Sequence, residues 1–499
     1  VVDKVAEAKV SSSMGKIVVI AGVGINLCLG VLYTWSMFTS ALTGKLAWTA
    51  AEALTPYAIA LGMFGLTMVF AGRLQDRIGP RIAASIGGVL VGTGMVISSF
   101  APKADAAASK VFGALYPTYT KSLTDAAIKA SFEVTQSAAF VTAKATLMTG
   151  MVDGVKVAAS VGDSLPWLAI GFGVLTGAGI GFAYAAATPA ACKWFAPTKK
   201  GLISGTVVAG FGLASVYTAP LTGNLLATAG LNNTFLYLGI GFFVAILAFA
   251  QFLNNPPAGY VPVADTRVAG ASAPKAAHRE YTWQEMVRTP QFWLMWGMYA
   301  VAAGAGLMVV GIIAKYAQGI PSVVDQLTAI TNGFKGGGLA WVANAGATFT
   351  FVMALAIGNG AGRPITGIIS DRIGRTKAMM GVFMTQAALL AILGFGVVQD
   401  FTLLLVVGAL IGAMYGANLT LFPSMTYDFF GTKNGGVNYG LVFTAWGAGG
   451  VLGSIGSGFA KDFFGSFTVA FWIAAALLVV ATVLAALIKA PKAAVEPIS

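Results

Sequence analysis

Twelve apolar runs of membrane-spanning length follow one another along the chain, at residues 17–42, 54–72, 82–101, 166–192, 202–225, 234–254, 291–314, 346–369, 378–399, 401–426, 437–460 and 465–488. A helix needs about 20 apolar residues to cross the hydrocarbon of a bilayer. The pattern therefore predicts an all-α integral membrane protein with twelve transmembrane helices. The polar start, VVDKVAEAKVSSSMGK, precedes a first run too long for the apolar core of a signal peptide, so the first span is expected to be retained. Composition agrees. Hydrophobic residues make up 57% of the 499 positions and charged residues 10%, against about 25% charged in soluble domains. Cys28 and Cys192 fall in or at the end of apolar runs and read as small buried hydrophobes.

The net charge of +12 is not a nucleic-acid signal, because its distribution follows the spans. With a cytoplasmic N-terminus, eight of the nine arginines fall on the cytoplasmic side. The lysines on the other side are concentrated in one long loop, where charge has little bearing on topology. The expectation is a multi-pass protein of a bacterial inner membrane, monomeric, with both termini cytoplasmic and with lipid, not nucleic acid, around it.

The chain repeats itself. Residues 72-GRLQDRIGPR-81 and 367-GIISDRIGRT-376 share Gly-x-[Leu/Ile]-x-Asp-Arg-Ile-Gly at an offset of 295, each after the second span of a six-span half. A weaker pair, 205-GTVVAGFG-212 and 440-GLVFTAWG-447, follows the fourth span of each half. Two parallel six-span repeats point to two pseudo-symmetric bundles with a substrate held between them. The predicted division is an N-terminal half at 1–254, a connector at 255–289 and a C-terminal half at 290–499. Extracytoplasmic insertions lie at 102–165 and 317–345. The first carries helix-compatible periodicity at 126–148. The connector ends in 281-YTWQEMVRTPQFW-293, which reads as a short interfacial helix.

One formal charge interrupts this apolar pattern. Arg363 lies eight residues before Asp371, roughly 12 Å along a helix, near the middle of a core about 30 Å thick. An arginine there costs about 2.5–3.5 kcal/mol on insertion scales. It requires a polar cavity or an anion. Its planar fork matches a carboxylate, and Asn359 shares its helical face one turn earlier. The equivalent position in the first half is Met68, so the fold's symmetry does not demand the charge. Tyr33, Tyr184 and Tyr415 sit mid-span in helices 1, 4 and 10. Asn418 follows Tyr415 on the same face. Asp76, Arg77, Asp371 and Arg372 occupy the two repeated loops and are candidate gating residues. No nucleophile–base set, metal-spaced cluster or phosphate loop is present in the sequence, so neither an enzyme nor a cofactor is expected. None of the eighteen Asp and Glu falls within a predicted span, and the single histidine, His278, lies in the connector. Whether a proton accompanies the substrate stays open.

The repeated loop resembles the signature of the major facilitator superfamily. Further segments, 29-LGVLYTWSMF-38, 181-GFAYAAATPAACKWF-195, 359-NGAGRPITGIISDRIGR-375 and 436-GVNYGLVFTAWGAGG-450, resemble its oxalate/formate antiporter branch, itself similar to the monocarboxylate porters. The resemblance implies alternating access, with the first and fourth helices of each half lining the pathway and Arg363 contacting a substrate carboxylate. In oxalate exchangers of the branch a lysine stands where this chain has Trp446. One cavity cation leaves a dianion half-compensated. The expected substrate is thus a small monocarboxylate of the lactate, pyruvate, formate or acetate class. An oxalate/formate-type exchanger is the alternative and a non-transporting membrane sensor a distant one.

Overall fold

The computed structural model describes residues 2–45, 48–101, 151–152, 155–156, 161–195, 200–257, 260, 280–334, 348–431 and 434–491. Span 1 is Val2–Leu29, a 3-10 turn at Gly30–Thr34, and Trp35–Lys45. Spans 2 and 3 are Ala50–Ile78 and Pro80–Ser98. Span 4 is Val161–Leu168, a π-helical stretch at Ala169–Thr176, and Gly177–Cys192. Span 5 is broken at Ala214 into Lys200–Leu213 and Ser215–Thr228, and span 6 is Gly230–Ala250. Spans 7 to 12 are Pro290–Gln318, Phe349–Ile373, Arg375–Gly394, Phe401–Phe430, Gly435–Phe464 and Thr468–Leu487. A two-residue ladder pairs Met151–Val152 with Val155–Lys156.

All twelve predicted spans are helical. Ten are long and apolar enough to cross a membrane by length and composition. The two that fall short in apolarity are spans 8 and 11. They carry Asn359, Arg363 and Trp446 among many glycines. Their polarity is the chemical content of the candidate site.

Helix ends follow from local sequence. The final glycine of each Asp-Arg-Ile-Gly loop has a left-handed backbone, φ 86° at Gly79 and 93° at Gly374. This conformation is cheap only for glycine, and it lets spans 2 and 8 stop and spans 3 and 9 start without a linker. Span 2 begins with a reciprocal capping box between Thr49 and Glu52. The connector's predicted helix is present as Trp283–Met286, also with a capping box, from Thr282 and Glu285. Tyr281 ties it to the second bundle: its N–H donates to Phe430 O, and its carbonyl accepts from Asn434 and Asn438 Nδ2, each at 3.0 Å.

Within the first bundle span 3 packs on spans 4 and 6, and span 1 on span 5. Within the second, span 8 packs on span 10 and span 9 on span 12. The 8–10 seam is backbone against backbone. A Cβ on Gly358 or Gly362 would lie 1.8 or 2.2 Å from the carbonyl oxygen of Ala409 or Ala413, and one on Gly412 or Gly416 2.1 or 2.2 Å from that of Leu355 or Asn359. Two Gly-x-x-x-Gly faces thus interlock, the arrangement small residues allow where lipid supplies no hydrophobic drive. Between the bundles, span 2 runs against span 11 and span 5 against span 8. The second part of span 1 meets span 7 at the end opposite the Asp-Arg-Ile-Gly loops. Spans 4 and 10 form no comparable seam.

Of the predicted insertions, the periodic stretch 126–148 lies outside the described residues, as does His278. The second insertion contains a helix, Pro321–Phe334, that buries Val323 and Leu327. Gln326 Oε1 accepts from Phe401 N at 3.2 Å, so this helix caps the start of span 10.

Candidate functional site

Arg363 is 3% exposed at the seam of the two bundles. Span 8 continues as helix through Pro364, which keeps Asn359 and Arg363 one turn apart on one face. Arg363 Nε and Nη2 donate to Asn359 Oδ1 at 3.3 and 3.2 Å. Nη1 crosses to the first bundle and donates to Val208 O of span 5 at 2.8 Å. Close approach is possible because span 5 has Gly212 here. A Cβ on that residue would sit 3.3 Å from Arg363 Nη2. Among the described residues no carboxylate pairs with this guanidinium. Two of its five N–H donors are uncommitted, and Asn359 Nδ2 makes no hydrogen bond of ordinary geometry, although the amide lies close enough to the Tyr33 hydroxyl to act on it. Unspent donors around a buried cation are what an anion's oxygens satisfy.

Close to the cation, both bundles contribute buried aromatic side chains that pack into one cluster, the walls of a candidate chamber. Tyr33 of span 1 and Tyr415 of span 10 share a hydroxyl–hydroxyl hydrogen bond of 2.6 Å across the seam. Trp446 Nε1 of span 11 donates to Tyr415 Oη at 2.9 Å. Indole only donates, so Tyr415 is the acceptor of that bond, and the three side chains form one relay. Phe211 meets Tyr33 and Tyr184 edge-on at 4.9 and 5.5 Å. Phe64 stands 4.9 Å from Trp446 and 5.3 Å from Tyr184, and Phe443 stacks on Trp446 at 5.0 Å. The sequence reading missed Phe64, Phe211 and Phe443. A phenylalanine in an apolar run carries no mark of facing a site; Phe443 alone had a signal, three residues before Trp446 on the same helical face.

Other candidates are distributed differently. Asn418 is fully buried but turned toward span 9, where its Nδ2 donates to Gln386 Oε1 at 3.4 Å, while Gln386 Nε2 donates to Ala302 O of span 7 at 3.3 Å. The hydrogen bond of Asn418 thus runs to span 9 and not to the arginine. In the loops, Asp371 Oδ1 accepts from Arg375 Nη1 at 2.7 Å, and Arg375 Nε reaches Asp428 Oδ2 of span 10 at 3.3 Å. This cluster lies within one bundle. Arg77 and Arg372 are exposed or nearly so. Asp76 is in the last turns of span 2, with its side chain outside the described set. A contact at this end runs from Arg73 of span 2 to the connector helix that Tyr281 ties to the second bundle: the Arg73 guanidinium carbon sits 5.8 Å from the ring centre of Trp283.

A family profile described as the Major Facilitator Superfamily matches residues 137–353 and 339–498. The chain belongs to this superfamily. Along most of its length it is similar to two further transporters. It is 26% identical over 429 residues to the uncharacterized MFS-type transporter YhjX of Escherichia coli (strain K12), covering 85% of this chain and 83% of that one. It is 25% identical over 440 residues to the oxalate:formate antiporter of Oxalobacter formigenes, covering 87% and 82%. A segment of 50 residues, 10% of this chain and 9% of the other, is 46% identical to apicoplast pyruvate carrier 1 of Toxoplasma gondii. This is a multi-pass membrane transporter of that superfamily.

Proposed function

We propose that the protein is a secondary carrier of small monocarboxylates that works by alternating access in a bacterial cytoplasmic membrane, with both termini cytoplasmic. The observation that carries this reading is the buried, acid-free guanidinium of Arg363 beside the unpartnered Nδ2 of Asn359. The substrate carboxylate takes the two uncommitted N–H donors of the guanidinium, and Asn359 Nδ2 supplies a further donor. Tyr33, held by Tyr415 and Trp446, presents its hydroxyl to the organic end. Tyr184 and Phe443, 6.3 Å apart and near parallel, wall the apolar side. No cation accompanies Arg363 among the chamber residues named. One positive charge balances one negative charge, and a dianion in the same space leaves a charge uncompensated.

A second reading, exchange of oxalate for formate, is favoured by the Oxalobacter formigenes relative's name and length of match. Trp446 weighs against it, because an indole offers one neutral donor where a dianion needs a second cation. Proteoliposome counterflow with labelled lactate, formate and oxalate decides. Exchange of a monocarboxylate with little oxalate flux is expected. Oxalate exchange at micromolar concentrations transfers the assignment to the second reading, and no flux of any carboxylate removes both.

A further inference from the structure

The bundles are joined at the end away from the Asp-Arg-Ile-Gly loops by a contact that neither the sequence reading nor the substrate chamber involves. Asp462, in the last turn of span 11, reaches across to the first turn of span 2. Its Oδ1 accepts from Ala50 N at 2.8 Å and its Oδ2 from Ala51 N at 2.9 Å. These two amides are among those a helix start leaves without internal partners. The helix dipole adds to the attraction for a carboxylate there. Thr49 and Glu52 already cap the same turn from within span 2. The first turn therefore has its own cap and takes a second one from the opposite bundle. Gly458 makes the reach possible: it lies one turn before Asp462, and a Cβ on it would stand 2.5 Å from Ala51 Cα. A second tie at this end has Ser40 Oγ of span 1 donating to Gln318 Oε1 of span 7 at 2.8 Å.

We propose that Asp462 is a gating residue: its carboxylate, seated on the amides of Ala50 and Ala51, is a clasp that holds this end shut in the state in which the loop end opens. The proposal rests on the transport reading above and adds which residue biases the carrier between its two faces. The charge matters more than the shape. An amide of the same size keeps one neutral acceptor and loses the second oxygen and the charge that the helix start attracts. The carboxylate is exposed, so the clasp is a modest one that thermal motion and the transport cycle release. Glu52 and Lys461 are the charged neighbours that act on Asp462, and Lys315 of span 7 acts in turn on Lys461.

The test needs no substrate. In a Cys28→Ala, Cys192→Ala background, a reporter Ser40→Cys, which removes the Gln318 tie equally from every protein compared, is placed at the clasped end, or Tyr427→Cys at the loop end of span 10, where Tyr427 is 39% exposed. The maleimide labelling rate of each is measured in nanodiscs. Asp462→Asn is expected to raise the Ser40→Cys rate by roughly three- to tenfold, the lower range for one charge-assisted hydrogen bond because the carboxylate is exposed. It is expected to lower the Tyr427→Cys rate, since one end closes as the other opens. Ala50→Pro is the second variant. It deletes one amide donor and keeps the carboxylate, and Thr49 before it is extended at ψ 161°, as a following proline requires. It is expected to move both rates in the same senses, by less. Local fraying at Asp462 speeds the first reporter and leaves the second unchanged, and that pattern overturns the proposal. So do unchanged rates at both reporters in folded, monodisperse Asp462→Asn protein. Absence of carboxylate flux, by contrast, removes the substrate assignment and leaves these labelling results intact.

Discussion

Replacing Arg363 with alanine separates a substrate-binding arginine from a structural one, because the first role predicts little change in the stability of the unliganded protein and the second a large loss. Its present partners are neutral: one oxygen of Asn359, shared by two N–H groups, and the carbonyl of Val208. Val208 lies inside a regular helix, so its carbonyl keeps the helix's own bond when the arginine is gone. Asn359 Oδ1 is left without a partner, which costs about 1–3 kcal/mol. Against this, the variant is relieved of burying a charge that costs about 2.5–3.5 kcal/mol. The two terms nearly cancel, and the unliganded Arg363→Ala protein is expected to unfold within a few degrees of the parent. Ligand binding is a different matter. Truncating one partner of a buried, hydrogen-bonded charge pair costs about 2–5 kcal/mol, a loss of roughly 30- to 5,000-fold in affinity. The assay is thermal unfolding of purified protein against a panel of short carboxylates. A ligand at 100 times its Kd stabilises by about 2.7 kcal/mol, and this shift is expected to vanish in Arg363→Ala. In Arg363→Lys it shrinks strongly, because an ammonium lacks the fork. An alanine variant that keeps the ligand-induced shift, or that collapses without ligand, refutes the reasoning.

Three further outcomes are expected. Trp446→Lys places a second cation beside the chamber and is expected to raise oxalate counterflow while weakening monocarboxylate uptake, read with both labelled substrates in one preparation. Asn359→Asp sets a carboxylate one turn from Arg363, where in its ionised form it neutralises the guanidinium and competes with substrate. Uptake is then expected to fall at neutral pH and to recover as the medium is acidified through the carboxylate range, about pH 4 for an unperturbed aspartate; a flat profile contradicts this. Gly362→Val drives a side chain into Ala413 O, where even a Cβ would be 2.2 Å away. It is expected to destabilise the protein by about 1–3 kcal/mol, read as a lower unfolding temperature.

What the sequence disclosed was set by how each residue departs from a lipid-exposed background. The spans were legible because their length is fixed by bilayer thickness. The loop repeat was legible because Gly79 and Gly374 must adopt a left-handed backbone that few residues tolerate. Arg363 and Asn359 were legible because polarity in mid-span is costly. Trp446 was reached through a resemblance, and its donation to Tyr415 follows from no spacing rule. Asn418 shows the limit of facial arguments: it lies three residues after Tyr415, yet span 10 touches spans 8 and 9 at once, and a displacement of three residues turns the side chain from the seam toward Gln386. Asp462 was passed over because a carboxylate at a span's end looks like ordinary topology. Its partners are backbone amides some four hundred residues away, and no pattern in side chains announces an amide.

The bond from Arg363 to the opposite bundle bears on how binding connects to movement under the proposed reading. Its Nη1 donates to Val208 O, so the two bundles are stitched at their centre by the group that is to hold the substrate. A carboxylate is a stronger acceptor than an amide carbonyl and draws the guanidinium away from span 5 or joins it there. In the first case binding cuts the central stitch and frees the bundles to rock. In the second it tightens the stitch, and release must precede movement. Val208 contributes only its backbone, so side-chain substitution there leaves the acceptor in place. The informative change is to Gly212, where an added Cβ meets Arg363 Nη2 at 3.3 Å and crowds the guanidinium away from span 5. If cutting the stitch is the step that binding accomplishes, Gly212→Ala accomplishes part of it in advance. It is then expected to raise substrate affinity in the thermal-shift titration by about two- to tenfold, the worth of one ordinary hydrogen bond. Weaker binding in Gly212→Ala refutes that order of events and favours a substrate held between Arg363 and span 5.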